Sequence, residues 1–149
     1  MPSTEYVPVK EVQRVCKKLG IKDWTSIKKE KDVTKKDATV ILKIINSQKM
    51  DITVEDFRQG LEVELEHGTR FADANITNNH PILTGKIVLA HLKESMDYYK
   101  RIDVAEIEGD LLGALLSKDL SRIESKYKKL IGAQEILNKS VADQLKKAE

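Results

Sequence analysis

This chain has little of what builds sheets, disulfide frameworks or membrane spans. Its 149 residues include one cysteine, three prolines and seven glycines, and aromatics make up 5%. A lone cysteine, Cys16, cannot close an intrachain disulfide. That excludes the disulfide scaffold of small secreted domains and fits a cytoplasmic or otherwise intracellular location. Sparse turn formers and aromatics exclude a β-sandwich or barrel and leave an all-α protein as the expectation. No apolar run approaches the roughly 20 residues of a membrane span, so no membrane partner is expected. The opening MPSTEYVPVKEVQ lacks a charged stretch followed by an apolar one, so no signal peptide is read.

The common catalytic signatures are missing as well. There is no glycine-rich phosphate loop, no G-x-S-x-G and no H-E-x-x-H. No histidine lies near Cys16 in sequence to activate it as a nucleophile. A non-enzymatic protein is the expectation.

What is present is charge, 34% of the residues, unevenly spread. Residues 1–50 hold 12 basic against 6 acidic side chains, residues 51–100 hold 5 against 9, and residues 101–149 hold 9 of each. A basic first third can meet an acidic partner, or match the acidic middle within or between chains. Nucleic-acid binding through Lys17, Lys18, Lys22, Lys28, Lys29, Lys31, Lys35 and Lys36 is read as weak. Acidic residues and a single aromatic, Trp24, are mixed among them.

Helical periodicity then orders the chain. Val9, Val12, Val15, Cys16 and Leu19 make an apolar stripe ended by Gly20. Cys16 reads as a buried small hydrophobe on that stripe. Ile21, Trp24 and Ile27 anchor an irregular connection. Thr34 caps a helix that buries Ala38, Ile41, Leu42 and Ile45. Thr53, Glu55 and Asp56 open the next helix, which buries Phe57, Leu61 and Leu65 and stops at Gly68. The stretch NSQKMDITVEDFRQG looks like part of an EF-hand, but calcium is excluded. Ile45 stands first in the loop, Met50 replaces the required glycine, and Asp56 replaces the bidentate glutamate.

A polar loop, TRFADANITNNH, leads to Pro81 as the first residue of a helix capped by Asn79 or His80. That helix is expected to bury Ile82 or Leu83, Ile87, Ala90, His91 or Glu94, and Tyr98, and to end near Ile102. The loop residues Asp73, Asn75, Asn78 and His80 are candidates for a ligand or partner site. After a bend at Gly109 and Gly113, a heptad seam begins. Leu116, Ile123, Leu130 and Leu137 form one row; Leu120, Tyr127, Gln134 and Val141 form the other. Such a seam pairs with a copy of itself, docks a helical partner, or folds back. The expected organisation is an N-terminal helical segment 1–33, a compact helical core 34–102, and a coiled-coil-like helix within 103–149.

All three histidines lie in residues 64–99. Glu64 and His67 are one turn apart, as are His91 and Glu94. Helical bundles that bind two metal ions use such pairs, and imidazole with carboxylate suits zinc, iron or manganese. Glu64, His67, His91 and Glu94, with Asp97 and Tyr98 nearby, therefore form a candidate metal set. Register opposes it: His91 lies 10 residues into its helix, about 15 Å from Pro81. A compact connection sets His91 level with Phe57 or Arg58, near Glu55, and leaves His67 and Glu64 with Asp73 and His80 at the loop. No cofactor is then required, and the histidines are structural.

The blocks ITVEDFRQGLEVELEHG, TGKI, AHLKE and DYY follow in order over residues 52–102. In this the chain resembles a small helical family classed as a domain of unknown function. The resemblance implies a helical fold and no activity. The leading functional expectation is an interaction or structural module that self-associates or docks through its C-terminal helix. Metal binding at the Glu/His set and a basic surface for an acidic partner are the alternatives.

Overall fold

The computed structural model describes residues 7–29 and 32–148, which are all-helical, with six α-helices and no strand. Lys31 lies outside the described residues. The helices are α1 (Val9–Leu19), α2 (Lys35–Ile45), α3 (Val54–Arg70), α4 (Pro81–Glu94), α5 (Tyr98–Leu116) and α6 (Leu120–Lys147). The chain divides into two compact units after Glu94.

In the first unit, α2, α3 and α4 pack on one another, and α1 packs on a 3-10 turn at Trp24–Ser26. Local chemistry places the helix starts. Thr34 accepts from the Asp37 amide at 3.1 Å, and Thr53 accepts from the Asp56 amide at 3.0 Å. Gly20 ends α1 in the left-handed conformation at φ 66°, which lets its N–H reach the last carbonyls. The core expected of α2 and α3 is buried: Ala38, Ile41, Leu42, Ile45, Phe57, Leu61 and Leu65. Trp24, Ile27, Val12 and Cys16 join them, and burial raises the Cys16 thiol above its ordinary pKa.

Helix α4 turns a different face inward from the one expected. Pro81, Thr84, Gly85, Val88, Leu89 and Leu92 are buried, while Leu83, Ile87, Ala90 and Glu94 are exposed. Space decides this. A Cβ on Gly85 would lie 2.6 Å from Ile41 Cγ2 and 3.3 Å from Phe57 Cζ, so α4 meets α2 and α3 where it has no side chain. The bulkier Leu83–Ile87 face would hold the helices apart.

Three boundaries also differ. Helix α3 runs through Gly68 to Arg70, because Gly68 serves close approach and not termination. Helix α4 ends at Glu94, short of Ile102. Gly109 and Gly113 are interior to α5, and the bend falls at residues 117–119. There Lys118 has φ 56° and Asp119 caps α6 by accepting from the Arg122 amide at 3.0 Å.

The second unit is an α5–α6 hairpin. Asp97 closes its open end: Arg101 donates to it from Nε at 2.8 Å and Nη2 at 2.9 Å, and Gln144 of α6 at 3.2 Å. Ser95 donates to it as well. The Arg101 guanidinium, with the Ser95 and Gln144 bonds, outweighs burial and holds this carboxyl down at about 2. Near the other end Lys126 reaches Asp110.

Glycine separates the two units in a testable way. Gly85→Ala should destabilise the chain by about 1–3 kcal/mol through overpacking against Ile41 and Phe57. Gly109→Ala and Gly113→Ala, whose added Cβ would meet nothing within 4 Å, should each stabilise it by about 0.5–1 kcal/mol. Urea unfolding of the three variants reads both signs; destabilisation by the α5 pair would restore the hinge.

Candidate functional site

Of the four residues proposed for metal, the fold joins two. His91 Nδ1 lies 2.9 Å from Glu64 Oε1, across the contact between α4 and α3. The register lies between the two expected ones. His91 meets a residue six positions beyond Arg58 on α3, and Arg58 pairs with Glu55 and Glu62 instead. The cause is the connection: α3 continues to Arg70 and a 3-10 turn follows at Ala72–Ala74, so α4 starts about a turn beyond the end of α3. His67 and Glu94 are exposed. Asp97 is engaged with Ser95, Arg101 and Gln144. Among the described residues no three His, Cys, Asp or Glu side chains gather as ligands for one ion.

The polar loop is held from within. Asn75 Nδ2 donates to Asn79 Oδ1 at 3.1 Å and to the Gly68 carbonyl at 3.4 Å. Asn79 Nδ2 donates to the Trp24 carbonyl at 3.3 Å, and Asn78 Nδ2 to the Val7 carbonyl at 3.0 Å. Asn78 and Asn79 both adopt positive φ, a conformation that asparagine tolerates better than most residues. Gly68 makes room: a Cβ there would lie 2.6 Å from Asn79 Oδ1. Asp73 is exposed on the 3-10 turn. Asn75, Asn78 and Asn79 thus spend their amides on backbone carbonyls and on each other.

His80 caps α4. Its Nδ1 accepts from the amides of Ile82 at 3.2 Å and Leu83 at 3.3 Å. The ring therefore carries its proton on Nε2, and a second proton on Nδ1 would face two N–H groups. Burial pushes its pKa below the ordinary value; Glu11 opposes this and Arg14 reinforces it, both from α1.

The heptad seam splits. Lys126 and Gln144 both reach α5, which identifies the α6 face turned toward it. Leu130 and Ala133 on that face are buried, and Ile123, Leu137 and Val141 are partly covered. Gln134 is partly covered too, and the remaining three stand out to solvent: Leu116 is 77% exposed, Leu120 80% and Tyr127 57%. Leu112, Leu115 and Ile131, which the heptad pattern did not single out, are exposed beside them.

A family model described as "Protein of unknown function (DUF5661)" matches residues 12–108. The chain belongs to that family. The match is wider than the blocks at 52–102: it takes in most of α1, all of α2 through α4 and more than half of α5, and leaves α6 outside. No curated protein and no solved structure matches the chain. Among the described residues no helix is long and apolar enough to cross a membrane.

Two predictions concern the histidines of this DUF5661 member. For His80 the folded state favours the neutral ring. Its contribution is therefore complete above the ordinary value of 6.5 and is lost as the pH falls through the lowered folded value. His80→Asn, which keeps a side-chain cap without titrating, should flatten the decline in melting temperature below pH 6.5; an unchanged decline would assign it to other groups. For Glu64 and His91, a double-mutant cycle with Glu64→Gln and His91→Phe should give a coupling of about 0.5–1.5 kcal/mol. Zero coupling in denaturant unfolding would remove this bond from the α3–α4 contact.

Proposed function

We propose that this protein is a non-enzymatic interaction module that self-associates through its C-terminal hairpin. The observation that carries the reading is the exposure of Leu116 at the end of α5 and of Leu120 and Tyr127 on α6, while Leu130 and Ala133 of α6 are buried. In the hairpin the buried apolar side chains are Tyr99, Ala114, Leu130 and Ala133. Two helices alone cannot cover both apolar faces that this sequence supplies, and contiguous exposed apolar surface marks a contact site.

Charge supports a second copy as the occupant. Helix α5 carries two basic against four acidic residues, and α6 carries seven against three. A hairpin with one acidic and one basic arm complements itself. Two-fold rotation sets the α5 of one chain against the α6 of the other and yields an antiparallel four-helix arrangement.

Light scattering on the full chain tests this. The wild type should have twice the chain mass, and Leu116→Gln/Leu120→Gln/Tyr127→Gln should have the single-chain mass with the same helical circular dichroism. A wild type that stays at single-chain mass across a concentration series defeats the proposal, as does a triple variant that stays dimeric.

A further inference from the structure

The basic first third has an arrangement that its composition did not reveal. Three of its carboxylates, Asp37, Asp23 and Glu11, are drawn into internal contacts, while Asp32 and the described lysines are exposed. Asp37 is buried, and Trp24 Nε1 donates to it at 3.4 Å. Asp23 accepts from the Thr25 amide at 2.9 Å, from the Thr25 hydroxyl at 2.6 Å and from Gln13 at 3.2 Å. Glu11 is held by both arms of the Arg14 guanidinium. By contrast Lys17, Lys18, Lys22, Lys28 and Lys29 are exposed and make no ion pair among the described residues.

The fold ties the segments that carry these cations to one another. Lys17 and Lys18 occupy the last turn of α1, and the Gly20 cap reverses the chain after them. Lys22 then reaches back to the Asp32 carbonyl. The Trp24–Asp37 bond fixes the first turn of α2 against the same connection. That first turn carries Lys35 and Lys36, both exposed, where the helix dipole disfavours cations. Lys35 also sits within the field of Glu55, a carboxylate already held by Arg58. Two lysines in an unfavourable place, and five others that make no ion pair among the described residues, outnumber the exposed Asp32 carboxylate and make a surface suited to repeated negative charge.

We propose that this surface of the first unit binds the phosphate backbone of a nucleic-acid duplex, independently of hairpin association. The side chains name the class. Trp24 is the sole aromatic of residues 7–45 and is fully buried, so there is no platform for stacking unpaired bases. Trp24 and Ile27, the bulky side chains of the connection that carries Lys22, Lys28 and Lys29, are buried, which withholds them from a lipid interface. Lysine ammonium groups contact phosphates and read no sequence.

The test is fluorescence anisotropy of a labelled DNA duplex of mixed sequence, titrated with full-length protein at several salt concentrations. Binding should weaken with salt, with log K falling by about 0.9 per phosphate contact for each decade of salt. Lys17→Gln/Lys18→Gln/Lys35→Gln/Lys36→Gln should reduce that slope by about 2–4 and weaken binding at low salt by about tenfold or more. Lys86→Gln/Lys93→Gln on α4 should leave both unchanged. If the quadruple variant loses its helical signal, Lys22→Gln/Lys28→Gln takes its place, with a slope reduced by about 1–2. Absence of duplex binding at low salt overturns the proposal. So does equal weakening by the α4 pair, or binding of phosphatidylserine vesicles in place of the duplex.

Discussion

The first unit depends on the placement of one residue, Trp24. Its indole is fully buried, its Nε1–H points to the Asp37 carboxylate, and its carbonyl accepts from Asn79. One side chain and its own backbone thereby tie the α1–α2 connection to the first turn of α2 and to the loop before α4. A buried indole needs a partner for its N–H, and a buried carboxylate needs donors; each supplies part of the other's requirement. Fixing the connection also fixes where its lysines stand. Packing and surface charge are therefore consequences of the same anchor, and a change that loosened Trp24 would disperse the cations as well as the core.

Where one residue type decided an element, the sequence was readable. Thr34 and Thr53 announce their helices, Pro81 opens α4, and the stripes of α2 and α3 face one way only. Helix α4 was not readable because it is apolar on opposite faces: Leu83, Ile87 and Ala90 on one, Val88, Leu89 and Leu92 on the other. Periodicity finds the helix but cannot choose between two apolar stripes. The choice lay in Gly85 and Thr84, small residues whose value is the space they leave. Gly68 misled for a related reason: a glycine near the expected end of a helix reads as a stop, yet here it admits Asn75 and Asn79 against the helix interior.

Of the Glu/His set only Glu64 and His91 come together, because helical spacing says which side chains share a face, not what lies opposite. His91 met Glu64 through a loop whose length in space depends on a 3-10 turn and three asparagine bonds. None of these follows from the spacing of Glu64, His67, His91 and Glu94. Asparagine amides serve a ligand and a backbone carbonyl equally well, and those of Asn75, Asn78 and Asn79 bond backbone carbonyls and one another.

The heptad pattern holds two patterns superposed. Counting from Leu116 runs one frame across the 117–119 turn, although no helix does so. The row Ile123, Leu130 and Leu137 lies on the face of α6 turned to α5, while Leu120 and Tyr127, in the other row, belong to its outer side. A helix that served only a two-helix hairpin would need one apolar face and could be polar elsewhere. Keeping Leu120, Tyr127 and Ile131 exposed costs solubility unless something covers them, and the opposite net charges of α5 and α6 make another copy of the hairpin a complementary cover. The lysines of the first unit and the leucines of the second are thus the same kind of feature: chemistry that the fold leaves at its surface.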